Sequence, residues 1–457
     1  AYKFITDGLK VFPSEVTYEI KSYKGSGVGM DVLPALLGVG YICGARVSSY
    51  IFAGGVIGWF VLMPLIALFG ADLTIFPASV PVSELGASGI WSNYIRYIGA
   101  GAVAAGGIIS LVKNLPLIAK TFRQALKSYG SKGNGDNSRL NKDIPMNIVI
   151  LTIGIMAIIM WLVPAVPVSL LGAIIIVIFG FFFATVSSRM VGIVGSSNNP
   201  VSGMAIATLL ITTMILKATG TIGMTGMVAS IAIGSVICII AAIAGDTSQD
   251  LKTGYLVGAT PWKQQVGEII GVAASAIAIG GVLYLLNAAW SYGSSAIPAP
   301  QATLMKMVVE GVMGGNLPWV LVFAGVGIAV VVEILGIPVL PFAVGLYLPI
   351  YLSTPMIVGG LIRLYFDKKK GESEEEKKRK VENGVLYSSG LIAGEGLVGI
   401  LLAVCAVIPF KGETFADAFN LSAIFGFSLG NIGGLVFFAL LAVTLILFIR
   451  GKKKKEN

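Results

Sequence analysis

From Val28 to Arg450 the chain repeatedly runs roughly 16–24 apolar residues at a time, and about 20 such residues span a hydrocarbon core about 30 Å thick. In hydrocarbon only helices or closed barrels satisfy their own backbone. The runs are too continuous for barrel strands, which alternate polar and apolar residues. The sequence therefore reads as an all-α polytopic membrane protein with about 11–13 crossings. No long polar linker divides it, so 1–457 reads as a single transmembrane domain.

The basic residues sharpen that reading. A net charge of +9 would suit nucleic acid if it lay on one face. Instead, of 32 Lys and Arg, seven lie in 113–145, seven in 367–384 and five from Arg450 onward. Basic residues held between spans mark cytoplasmic loops. Both segments are expected as cytoplasmic loops, and 450–457 as a cytoplasmic tail, in a multi-pass protein of the cell membrane that binds no nucleic acid. Cys43, Cys238 and Cys405 are scattered among apolar residues, with no CxxC pair. The chain has no His, which excludes imidazole ligands and imidazole proton relays. No metal site, cofactor or catalytic residue is expected. Ala1–Ser26 carries mixed charge, with neither an initiator Met nor a signal peptide, and reads as the middle of a longer chain.

Spans are expected near 29–46, 47–70, 93–112, 146–163, 168–188, 203–217, 222–244, 264–287, 319–335, 385–408 and 431–449. The region 337–366 stays open between a hairpin, a broken helix and two short crossings. With 113–145 inside, the links at 189–202 and 245–263 also fall inside, carrying Arg189, Lys252 and Lys263. The outer links hold only Lys217, Lys306 and Lys411.

Four features interrupt the apolar pattern. In SSNNPVSG, Pro200 opens a helix while Asn198, Asn199 and Ser202 offer polar groups at its N-terminus, which favours anions. In AGDTSQDLKTGY, Asp246 and Asp250 share a helix face, and Gln249 and Lys252 lie close by. In the third, LGIPVLPFAVGLYLPIYLSTPMIVGG, four prolines forbid one continuous helix. Irregular backbone at membrane depth needs a protein or aqueous lining, which suits a transporter's substrate site. The fourth is a set of lone carboxylates: Glu333, Glu395 and, more weakly, Asp31. A charge at bilayer depth costs about 2.5–3.5 kcal/mol, so it faces a partner or a cavity. Without His, such carboxylates are the natural proton carriers.

The strings NNPVSGMAIATLLIT, GDTSQDLKTGYLVGATPWKQQ and GLYLPIYLSTPMIVGGLIR, with LLGVGYICGARVSSYIFAGG and IRYIGAGAVAAGGIISLVKNLP, resemble the oligopeptide transporter family. The resemblance runs in order from about Val32 to Gly399. It is closer to the prokaryotic and yellow-stripe-like branch, because this chain reads NPVSG where the other branch has NPG. The resemblance implies a proton-coupled importer of small oligopeptides or of peptide-like metal–chelator complexes, with further helices upstream of Ala1. Its substrate-binding candidates are Asn198, Asn199, Pro200, Ser202, Tyr347, Pro349, Ser353 and Thr354. Candidates for coupling or gating are Asp246, Gln249, Asp250 and Lys252, beside Glu333 and Glu395. Protons, the bilayer and the substrate are the expected partners, and a homo-oligomer stays open. A channel is the alternative. An intramembrane aspartyl protease is remote, because AGD at 244–246 lacks a second membrane aspartate.

Overall fold

A computed structural model describes residues 1–130, 138–164, 166–194, 201–294, 297, 299–314, 317–369, 371, 373–410 and 413–450. In chain order the helices are α1 (Pro34–Val56), α2 (Met63–Phe69), α3 (Gly86–Ile90), α4 (Arg96–Gly130), α5 (Met146–Leu162), α6 (Leu170–Val194), α7 (Val201–Ala218) and α8 (Gly223–Val257). They continue with α9 (Pro261–Trp290), α10 (Pro300–Gly314), α11 (Trp319–Ile334), α12 (Val339–Tyr347), α13 (Ile350–Asp367), α14 (Glu374–Val407), α15 (Leu421–Phe425) and α16 (Gly430–Arg450). Two small antiparallel hairpins are the only sheets among the described residues: β1 (Glu15–Glu19) with β2 (Gly27–Asp31), and β3 (Pro409–Phe410) with β4 (Glu413–Thr414). Seven helical runs among the described residues are long and apolar enough to cross a membrane, and Gly203–Ala218 and Trp319–Ile334 are shorter apolar helices. The protein is an all-α, multi-pass membrane protein.

Several boundaries differ from the sequence expectation. The spans expected at 29–46 and 47–70 form one run, Pro34–Phe69. α1 passes through a wider turn at Ile57–Leu62 into α2, with a single break at Gly44. Residues 29–31 belong to a strand, because Pro34 occupies the first helical position and holds Leu33 extended (ψ 153°). The loop expected from 113 stays helical to Gly130, where Leu, Ala, Lys, Arg and Gln all favour helix. The polar link expected from 245 is the last three turns of α8. It ends at left-handed Gly258 (φ 78°), with the Ala259 N–H donating to the Gly254 carbonyl, a Schellman closure. The link expected at 288–318 contains α10, which is shorter than a membrane span.

The chain folds as two compact units, one of 1–103, 282–298 and 318–457 and a second of 104–281 and 299–317. The second unit is built on α6, α7, α8 and α10. Phe183, Met204, Ile233 and Val309 are buried there, with Met305 and Val308 of α10 packed against them. In the first unit α1 runs antiparallel to α12 and α13 at backbone distance. A Cβ built on Gly40 would strike the Met356 carbonyl, one on Gly345 the Ile51 carbonyl, and one on Gly359 the Leu37 carbonyl. Small residues that let helix backbones touch are the usual adhesive between helices in lipid. α14 joins from another side, where Gly384 lies against the Tyr41 ring. The β1–β2 hairpin seats Phe12 and Val32 against Phe438, Leu441 and Leu445 of α16.

The proline-rich region resolves as a broken helix. Pro338 precedes α12, Leu348 is extended (ψ 147°), and Pro349 precedes α13.

The backbone contact generates a paired prediction. Gly40→Ala should lower the melting temperature of the purified protein, because overpacking costs about 1–3 kcal/mol. Gly399→Ala, with nothing within 4 Å of its added methyl, should leave melting unchanged or raise it slightly. Equal melting of the two variants would show that the α1 interface is not close-packed.

Candidate functional site

The N-terminus of α1 gathers charge. β2 pairs with β1 in a register that sets Asp31 opposite Glu15, and the chain then turns through Leu33 into α1. The first amides of a helix have no partner within it, and here two carboxylates take them. Asp31 Oδ1 accepts from the Leu33 N–H at 2.7 Å. Glu395, reaching across from α14, accepts from the Ala35 N–H through Oε2 at 2.6 Å. Lys3, in the N-terminal segment, places Nζ 2.6 Å from Asp7 Oδ2 and 3.8 Å from Glu395 Oε1. The side chains of Lys3 and Glu395 are 16% and 15% exposed. The Tyr2 hydroxyl is also buried there, without a hydrogen-bond partner.

Three carboxylates thus share one ammonium and the positive end of a helix, worth about half a unit charge. Full ionisation would leave the group net negative in a place poor in water, and a proton relieves it. Asp31 shows the effect directly. Burial pushes its carboxyl up to about 7, reinforced by Glu395 and Asp7, while the Leu33 N–H and Lys3 pull the other way. Burial also raises the Glu15 carboxyl across the hairpin.

A second polar group joins α8 to α9. Thr247 Oγ1 donates to Glu268 Oε2 at 2.7 Å, and Gln264 Nε2 donates to Asp250 Oδ2 at 3.1 Å and to its carbonyl at 3.0 Å. Gln264 Oε1 and Glu268 Oε1 are buried without a hydrogen-bond partner.

The sequence candidates distribute unevenly over this geometry. Glu395 and Asp31 come together. Glu333 is half-buried in the last turn of α11, and the charged neighbours of Asp31 are Glu395, Lys3 and Asp7 instead. Asp250 joins the α8–α9 network. Asp246, Gln249 and Lys252 lie toward the surface, with Lys252 Nζ 5.4 Å from the Tyr255 ring centroid. Tyr347 is buried at the end of α12 against Gly99. Pro349 caps α13, and Ser353 and Thr354 both donate to the Ile350 carbonyl at 2.9 Å. Ser353 also faces Gly55 of α1. Asn198, Asn199 and Pro200 lie outside the described residues, as does the side chain of Ser202. Sequence reasoning missed Lys3, Asp7 and Glu268. Glu268 carries the signal that pointed to Glu395, a lone carboxylate early in an apolar span.

The oligopeptide transporter (OPT) family profile matches residues 1–406. A Haemophilus influenzae protein, assigned by inference as an oligopeptide transporter, is 28% identical over 92% of this chain and 73% of its own length. Rice (Oryza sativa subsp. japonica) YSL11, assigned as a metal-nicotianamine transporter, is 25% identical over 88% of this chain and 59% of its own length. Arabidopsis thaliana YSL5, with the same description, is 30% identical over 45% of this chain and 31% of its own length. The chain thus spans less than two thirds of these plant relatives.

The carboxyl of Asp31 makes stability depend on pH in a definite direction. Its folded value of about 7 exceeds the ordinary value of about 3.9, so the folded state binds the proton more tightly. Its stabilising contribution is complete below about pH 4 and is lost as pH rises to about 7. The melting temperature of the wild type minus that of Asp31→Asn should therefore fall across that window and then level. A flat difference would place Asp31 in water.

Proposed function

Because the chain belongs to the OPT oligopeptide transporter family, we propose that it is a secondary, proton-coupled importer of small oligopeptides or of peptide-like metal–chelator complexes, in the cytoplasmic membrane with its C-terminus inside. The relatives carry the transporter class and both substrate descriptions. The observation that carries the coupling is the Asp31–Glu395 pair at the N-terminus of α1.

The chemistry follows from what the pair holds. Each carboxylate occupies a backbone N–H at the start of α1. Protonation weakens such a charge-assisted bond and frees an N–H for a carboxylate of the substrate, which the helix end also attracts. Asp7, with whichever of Asp31 and Glu395 stays ionised, is the complementary acceptor for the substrate's ammonium. A metal chelate built on amino-acid units presents the same carboxylates and ammonium, because the chelator holds the metal. Proton binding and substrate binding thus favour one another, as symport requires. The broken α12–α13 segment, with Tyr347, Pro349, Ser353 and Thr354, supplies irregular backbone for the substrate's path in the same unit.

Uptake into proteoliposomes by the full-length protein tests the coupling. An inside-alkaline gradient should drive accumulation, and Glu395→Gln should reduce driven uptake at least about tenfold while sparing substrate exchange without a gradient. Full driven uptake in Glu395→Gln, Asp31→Asn and Glu333→Gln alike would remove the proton-carrier assignment. Substrate class is read from thermal stabilisation, which reaches about 2.7 kcal/mol at 100-fold over Kd. A shift with the chelate, but with neither free metal nor free chelator, marks a chelate carrier. A shift with short peptides alone marks a peptide importer.

A further inference from the structure

The break in α1 lies ten residues from the start of the helix, where the carboxylate pair sits. Gly44 has φ 79° and ψ 169°, a region essentially closed to residues with a side chain. A non-helical residue interrupts the ladder of bonds that crosses it, so the carbonyls just before it need other donors. Two side chains supply them. Ser48 Oγ donates to the Gly40 carbonyl at 3.2 Å. Arg363 of α13 donates through Nη1 to the carbonyls of Tyr41 and Ile42 at 3.3 and 3.1 Å. The same guanidinium lies 5.8 Å from the Tyr41 ring centroid, with Nε 3.6 Å from Asp367 Oδ2.

We infer that the carbonyls of Tyr41 and Ile42 form a site for a monovalent, N–H-donating organic cation, occupied in this protein by the guanidinium of Arg363. Three features define the site. The carbonyls converge at the C-terminal end of the half-helix Pro34–Cys43, whose partial charge is negative. The Tyr41 ring offers a cation–π surface. Asp367 balances the charge from outside. Arg363 is thereby a positioning residue for transport. It fixes the C-terminal end of the half-helix whose N-terminal end holds Asp31 and Glu395, so its loss misaligns those carboxylates without touching them.

Chemical rescue of the full-length protein in proteoliposomes tests the assignment. Arg363→Ala should lower gradient-driven uptake about tenfold or more. Millimolar methylguanidinium should restore much of the loss, whereas equal NaCl or urea should not. Arg363→Lys keeps a cation with N–H donors and should retain intermediate uptake. The proposal is overturned by wild-type uptake in Arg363→Ala, by loss that methylguanidinium leaves unrelieved, or by equal relief from NaCl. Should Arg363→Ala not fold, Arg363→Lys decides alone: uptake below about a tenth of wild type overturns the cation site. The inference rests on the proposed transport reading, and the two fail separately: full driven uptake in Glu395→Gln, Asp31→Asn and Glu333→Gln overturns the proton carriers, whereas loss in Arg363→Ala that methylguanidinium leaves unrelieved overturns the cation site.

Discussion

Everything that positions the candidate site depends on the touching backbones of α1 and the α12–α13 pair. In lipid, two apolar helices gain nothing by hiding from the solvent, so association rests on dispersion and on how closely the backbones approach. Gly40, Gly345 and Gly359 each stand where a side chain would strike a carbonyl of the facing helix. Such an interface tolerates no axial slip, because a shift of one residue brings a Cβ between the backbones. The glycines fix the height of α1, and with it the height of Pro34. The packing of α14 on α1 through Gly38 and Gly384 then decides which residue of α14 meets the first free amides. That residue is Glu395.

The two breaks in this assembly solve one problem in opposite ways. Between α12 and α13, Pro349 has no N–H to leave unpaired, while the Leu348 N–H donates to Val344 and the Leu352 N–H to Pro349. The chain closes the gap with its own backbone. At Gly44 the backbone opens without such a device, and the carbonyls before it receive donors from Ser48 and Arg363. A proline break is self-contained. A glycine break needs partners from elsewhere, and here one partner is a full positive charge.

That difference bears on what was legible in the sequence. Long apolar runs identify themselves, because bilayer thickness imposes the same length on each. Glu395 was legible as a charge where charge is costly, and its partner Asp31 more faintly. Lys3 and Asp7 were not, because a short mixed-charge segment has no periodicity to show where it folds back. The hairpin that delivers Asp31 was hidden for the same reason, its strand residues being read as the start of a span. Asp246, Gln249 and Lys252 were legible as a polar cluster at a helix end, but not which neighbours they meet: Lys252 lies over the Tyr255 ring and Asp246 acts on Glu268 of the next helix. Gly44 looked like any of the glycines in α1, since only its φ and ψ distinguish it.

The carboxylate cluster ties these strands together through its charge balance. A buried ion pair gains from Coulomb attraction only what desolvation leaves, so one lysine cannot compensate three carboxylates at low dielectric. The helix N-terminus supplies part of the deficit, and it can do so only while α1 stays where its glycines hold it. A proton supplies the rest: burial pushes the Asp31 carboxyl up to about 7, and the neighbouring Glu395 and Asp7 add to that rise. Under the proposed symport, a substrate carboxylate arriving at the same amides would add negative charge to a group already in surplus, and the retained proton would bind more tightly. Coupling of that kind needs no mechanical linkage between distant sites. It would follow from placing one excess carboxylate where the substrate's own charge has to go.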